Sequence, residues 1–146
     1  MSQGWLLDTN VVSELAKGAR ADQGAIRWLD AIPDDQLYLS VITLGEITKG
    51  IGLAEGRGLD MHLQRAFFEE LPVRFSRRIL AFDAKAAIAW GSLLQRLDGN
   101  REAERLLAVD AQIAAIAEVA DLIVCSRNTR DFQQLGVPVF DPFAPA

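Results

Sequence analysis

The stretch Trp5-Leu6-Leu7-Asp8-Thr9-Asn10 constrains this chain more than any other. Its apolar start reads as a short buried strand that stops at a carboxylate, and after two small polar residues a helical pattern begins at Val11. An Asp inside such a strand would be a buried, unpaired charge. At the strand's carboxyl end it faces the crevice in which open α/β sheets bind ligands. Asp8, Thr9 or Asn10 would serve equally well as the cap of the following helix, so this position alone leaves a structural and a chemical role open.

The rest of the chain repeats the pattern of a short apolar run followed by a helix. Gly18 is placed to end the first helix, and Ala21 to Ala31 is helical up to Pro33-Asp34-Asp35. Leu37-Tyr38-Leu39 is a second strand, with Ser40 as cap of a helix whose Leu44, Ile47, Ile51 and Ala54 form its buried face. Glu46 lies on another face of that helix with Thr43 and Gly50. Thr43-x-x-Glu46 also fits a capping box, in competition with Ser40. Gly45, Gly50 and Gly52 each cost about 1 kcal/mol against Ala in a helix interior, which points to close approach by backbone or ligand. An amphipathic segment from Leu59 to Phe75 is interrupted near Pro72, and His62 within it reads as a surface or packing residue. Trp28, Phe67 and Phe68 are assigned to core or subunit contacts.

Ile79 to Phe82 is a third strand, and Asp83 caps a helix from Ala84 to Leu97. Asp98-Gly99-Asn100 is a turn, and Arg101 to Arg105 a charged surface piece. Asp110 opens a helix with Val109, Ile113, Ile116, Ala117 and Ala120 at helical spacing; an acid is favoured there by the helix dipole alone. Leu122 to Cys125 is a buried fourth strand that runs into the polar loop Ser126-Arg127-Asn128-Thr129-Arg130-Asp131-Phe132. Val137 to Phe140 is a last strand whose proline suits a sheet edge. This alternation implies a three-layer α/β/α fold, with a short central parallel sheet, as one domain over residues 1–146.

Composition narrows the chemistry. One Cys and one His among 146 residues cannot build the usual zinc site, and a Ser-His-Asp triad would rest on His62 alone. Carboxylates are left, and hard oxygen donors select Mg²⁺ or Mn²⁺. The single Cys125 permits no internal disulfide and suits a reducing cytoplasm. The first strand begins too early for a secretory signal in front of it, and no apolar run approaches the ~18 residues of a membrane span. No phosphate-binding or dinucleotide-binding glycine loop is present. The net charge of −5 argues against a nonspecific nucleic-acid coat, but two divalent ions would cancel four clustered acids. Asp8 and the Asn128/Asp131 loop follow strands, while Glu46 and Asp110 sit on helices that start near strand ends. Two ions roughly 3.5–4 Å apart at such a cluster activate a water and stabilise a leaving oxygen in phosphodiester hydrolysis.

Four segments resemble, in order, the four motifs of PIN-domain ribonucleases: Leu7 to Glu14, Leu39 to Ile47, Asp110 to Ala115 and Ser126 to Phe132. The ending from Gly136 to Phe143 also fits, and the nearest likeness is to the VapC/FitB-type toxins of type II toxin–antitoxin pairs. The resemblance covers essentially the whole chain. It implies a PIN-like, Rossmann-like fold and a Mg²⁺- or Mn²⁺-dependent endoribonuclease acting on RNA. It further implies a homodimer inhibited by a cognate antitoxin, and because a guanidinium binds carboxylates bidentately, that antitoxin is expected to insert a basic residue into the acidic site. Asp8, Glu46 and Asp110 carry over as the metal-binding triad. Members differ over whether the fourth acid stands at the position of Asn128 or of Asp131, and here only Asp131 is acidic. Thr9, Asn10 and Asn128 are supporting residues, and Arg127 and Arg130 are candidate RNA phosphate contacts. A binding module with a silent acidic pocket is the competing reading. An aspartyl-phosphate enzyme built on Asp8 would need a second Asp where Asn10 stands.

Overall fold

In a computed structural model, which describes residues 3–143, the chain alternates strands and helices around a five-stranded parallel sheet. Of the single domain expected over residues 1–146, residues 1–2 and 144–146 lie outside the described residues. The strands are β1 (Trp5–Leu7), β2 (Leu37–Ser40), β3 (Ile79–Leu80), β4 (Ile123–Cys125) and β5 (Val139–Phe140), in spatial order β3-β2-β1-β4-β5. The helices are α1 (Thr9–Leu15), α2 (Gln23–Ala31), α3 (Val41–Gly56), α4 (His62–Arg74), α5 (Ala84–Gln95), α6 (Arg101–Leu106), α7 (Ala108–Ala120) and α8 (Thr129–Gln134).

The period-2 alternation of a strand sorts the core into two layers. Leu6, Tyr38 and Val124 face one side, where α5, α7 and α8 contribute Leu93, Ile113, Ala117 and Phe132. Leu7, Leu37, Leu39 and Cys125 face the other, against Val11 and Val12 of α1, Leu29 of α2 and Leu71 of α4. Both faces are covered, which is why the strands are apolar throughout. From β1 the chain moves outward through β2 and β3, then returns to build β4 and β5 on the other side. That reversal makes the β1/β4 boundary the switch point where a parallel sheet opens a crevice. Leu7 pairs with Cys125 across it, and the Asp8 N–H donates to the Cys125 carbonyl at 2.9 Å.

Several local expectations are corrected. Helix α1 begins at Thr9, two residues before the apolar pattern, because the Asp8 carboxylate supplies the cap. Gly18 lies beyond the helix end, which Ala16 forms, and opens a short 3-10 turn. Pro72 does not interrupt α4; near the C-terminal end its missing N–H removes only one helical bond. Strand β3 is two residues long, since Phe82 leaves the sheet before the Asp83 cap. Arg101 to Leu106 is a helix, capped by Asn100. Val109 is exposed, so the buried face of α7 runs instead through Ala111 and Ile113 to Ala117. The glycines of α3 do not answer a close approach within the fold: a Cβ at Gly45, Gly50 or Gly52 would meet nothing within 4 Å. Expectations that held include the Ser40 cap, accepting from the Thr43 N–H at 3.1 Å, and the Asp83 cap on Ala86 at 2.9 Å. Cys125 is buried core, and His62 is exposed beside Asp60.

Candidate active site

Asp8 stands one residue past β1 and is 2% exposed. Its two oxygens do different work. Oδ1 accepts the Thr9 N–H at 2.8 Å, capping α1, while Oδ2 accepts the Ser126 hydroxyl at 2.7 Å. Ser126 is itself buried, one residue past β4, and its Oγ also accepts the Asn128 N–H at 2.9 Å and the Asn10 amide at 3.2 Å. A hydroxyl has one proton and both other neighbours are donors, so the Ser126 proton belongs to Asp8. Asp8 thus caps α1 through Oδ1 and is tied to the end of β4 through Oδ2.

Glu46 comes to the same crevice from the second turn of α3. Thr9 Oγ1 donates to its Oε1 at 2.6 Å and lies 3.2 Å from the buried Thr43 hydroxyl, which fixes Glu46 beside the head of α1. Ser40 caps α3, leaving Glu46 free of the capping-box duty that its spacing from Thr43 suggests. Asp110 enters from the first turn of α7, and Asp131 from the first turn of α8.

The four acids feel one another. Burial pushes the Asp8 carboxyl above its ordinary value, opposed by the Ser126 and Thr9 hydrogen bonds and reinforced by the charges of Glu46 and Asp131. Burial also lifts Asp110 to about 7, helped by the charges of Asp8, Asp131 and Glu46 and by a hydrogen bond with Asp131. Among the described residues no Lys, Arg or His forms a salt bridge with any of the four.

No three His, Cys, Asp or Glu side chains among the described residues stand close enough together to grip one ion. The acids thus form an electrostatic cluster and not a closed coordination shell. As a donor set they still suit a divalent cation: oxygens only, with mutual repulsion and no internal counter-charge. Asn128 is exposed and its side chain does not cap α8, whereas Asp131 is half-buried against Asp110. Arg130 is exposed, while the Arg127 guanidinium rests against Glu14 and Phe143.

Three polar residues of this region carry no site role in the sequence reading: Ser126, Thr43 and Glu14. Ser126 had a signal, since it follows β4 at the same offset at which Asp8 follows β1, and paired parallel strands bring those two positions together. Thr43 reads as a helix-face residue, and only the fold brings it to Thr9. Glu14 had none. It sits between Ser13 and Lys17, which look solvent-facing, and its partner Arg127 is remote in the chain.

A family model described as PIN domain matches residues 5–138. The chain is 32% identical over 142 residues to VapC ribonuclease Y4jK of Sinorhizobium fredii, covering 97% of this chain and 99% of that protein. It is 33% identical over 139 residues to Toxin FitB of Neisseria gonorrhoeae, covering 94% and 97%. The solved structure of FitAB bound to an IR36 DNA fragment superposes with a TM-score of 0.76 at 29% identity, over 97% of both chains.

Proposed function

The chain belongs to the PIN-domain family, and from that premise we propose that it is a divalent-metal-dependent endoribonuclease, the toxin of a type II toxin–antitoxin pair. One observation carries the reading: four carboxylates stand near the sheet's switch point, the charges of their neighbours help raise the carboxyls of Asp8 and Asp110, and none of the four has a salt-bridge partner within the described fold. Two of the relatives that match nearly end to end are a ribonuclease and a toxin, which supports a nuclease reading of this acidic cluster.

Asp8, Glu46 and Asp110 would hold Mg²⁺ or Mn²⁺, with Asp131 as the fourth acid reaching the ion through water. When bound, the metal supplies an activated water and neutralises charge developing on the leaving oxygen of an RNA phosphodiester. The protein's own part is orientation. Ser126 and the Thr9 N–H fix the two oxygens of Asp8. Thr9 turns Glu46 toward the crevice, and Asn10 ties the head of α1 to Ser126. Asn128 lends its backbone N–H to the same hydroxyl. Arg130, exposed and next to Asp131 in the chain, is the phosphate contact of this reading. The protein acts in the cytoplasm as a homodimer.

The antitoxin follows from the same electrostatics. A guanidinium binds carboxylates bidentately, so a basic side chain of the cognate antitoxin replaces the metal near Asp8 and Asp110. Among the described residues no helix is long and apolar enough to cross a membrane. The decisive experiment incubates purified protein with a structured RNA in Mn²⁺, in EDTA, and as Asp8→Asn/Asp110→Asn. Cleavage only by the wild type with metal supports the proposal; tight antitoxin binding without any cleavage would leave a silent binding module. Neutralising the antitoxin's basic residue should weaken its inhibition.

A further inference from the structure

Arg127 stands in the loop from β4 to α8, between Ser126 and Asn128. Its backbone N–H donates to Asn10 Oδ1 at 3.2 Å, so the main chain here is tied to the head of α1. Its side chain runs elsewhere. The guanidinium lies over the Phe143 ring, 3.8 Å from the centroid, and 3.5 Å from Glu14 Oε1. Arginine suits both partners, because its planar face stacks on an aromatic ring while its edge meets a carboxylate.

Both anchors are themselves fixed. Glu14 is 5% exposed, and its carboxylate also takes Lys17 Nζ at 3.1 Å and the Asp22 N–H at 3.3 Å. Phe143 packs against the core layer formed by Leu7 and Val11. Its N–H donates to Asp141 at 2.8 Å. The Arg127 side chain stays about half exposed, 54%, but its ring-facing side and one edge are engaged by these two fixed anchors.

The geometry points to Arg127 as a positioning residue: held by Glu14 and Phe143, it keeps the Ser126–Asp131 loop where Ser126 meets Asp8 and Asp131 meets Asp110, and it does not bind RNA phosphate. Only the consequence for cleavage rests on the ribonuclease reading.

The first test therefore needs no RNA. Amide hydrogen exchange at Asn128 and Phe132, whose N–H groups bond within this loop, is measured on the metal-free full chain. Arg127→Gln and Phe143→Ala should each speed it about tenfold, and the double variant no further, because both break one link. Phe143→Trp keeps an aromatic face and should exchange like the wild type. Unchanged exchange, or additive effects, would overturn the inference.

The second test uses a fluorescent single-stranded RNA of mixed sequence, bound in EDTA across a salt series. Each phosphate contact contributes about 0.7 to the slope of log affinity against log salt. Arg127→Gln should leave that slope unchanged and Arg130→Gln should flatten it; a flattening of about 0.7 in Arg127→Gln would make it a phosphate ligand after all. In cleavage assays Arg127→Gln and Phe143→Ala should lower kcat about 10- to 100-fold at constant KM, with Phe143→Trp restoring it. A rise in KM at constant kcat would contradict positioning. A wild type that cleaves nothing sinks the ribonuclease proposal, and the exchange measurement then decides the inference alone.

Discussion

Helix α1 carries two buried carboxylates with opposite surroundings. Glu14, at its far end, lies between Lys17 and Arg127 and accepts a backbone N–H. Asp8, at its head, is buried as deeply, yet its charged neighbours are Glu46, Asp110 and Asp131. Burying a charge without a partner costs several kcal/mol, and a fold selected for stability alone would treat both acids as it treats Glu14. The difference teaches how to read the cluster. Glu14 is an acid completed by its own chain. On the proposed reading, the four at the crevice are an acid site to be completed from outside, by a metal ion or by an antitoxin's basic side chain.

Substitution at the two ends should expose the contrast most sharply. Asp110→Asn is expected to lower RNA cleavage by more than the roughly 100-fold that loss of an outer-shell partner costs, while raising the melting temperature of the metal-free protein by removing a repelled charge. Glu14→Gln should act in the opposite sense on stability, losing about 1–3 kcal/mol once the partial exposure of Lys17 and Arg127 is allowed for. Thermal melts in EDTA beside single-turnover cleavage read both quantities. If Asp110→Asn destabilised the fold as Glu14→Gln does, the cluster would be structural.

A smaller effect separates the two residues that compete for the fourth position. Asp131 faces Asp110 from the first turn of α8, whereas Asn128 is exposed and contributes its main chain. Asp131→Asn should cut cleavage about 10- to 100-fold with partial recovery in excess Mn²⁺, and Asn128→Asp should be tolerated. Normal cleavage by Asp131→Asn together with a dead Asn128→Ala would exchange their roles.

How much of this was legible in the sequence divides along the same line. The acids could be read because each follows a pattern with a fixed geometric meaning: an apolar run ending at Asp8, or a helix start at Asp110. The sheet order placed Asp8 at the switch point, which alternation of strands and helices anticipates only in general terms. The contacts that complete each acid could not be read. Ser126 reaches Asp8, and Arg127 reaches Glu14, across more than a hundred residues, and nothing local at Glu14 distinguishes it from a surface residue of a short helix. Boundaries failed where capping decided them, as at Thr9, and burial failed where a helix reaches the open crevice, as at Val109.

The smallest effect is the pH dependence of stability, and its sign tests the comparison most directly. Asp110 resists deprotonation: its carboxyl stands at about 7 in the fold against 3.8 as the ordinary value. At pH 5 the folded state therefore keeps a proton that the unfolded chain has released. Stability rises with pH only where the unfolded state binds more protons, so here it must fall as pH climbs from about 4 to about 7 and level off above. Asp8 is shifted in the same direction and adds to the decline. Melting temperatures in EDTA should thus drop by about 5 °C between pH 5 and pH 8, a shift corresponding to a kcal/mol or two for a domain of this size. In Asp110→Asn most of that slope should vanish. Saturating Mg²⁺ should oppose the decline, because metal binds the deprotonated acids and its affinity rises as their protons leave, so the stabilisation it gives should grow from pH 5 to pH 8. A metal-free melting temperature that rises over this range would mean that Asp110 is completed within the fold, as Glu14 is, and that the two ends of α1 do not differ in the way their neighbours indicate.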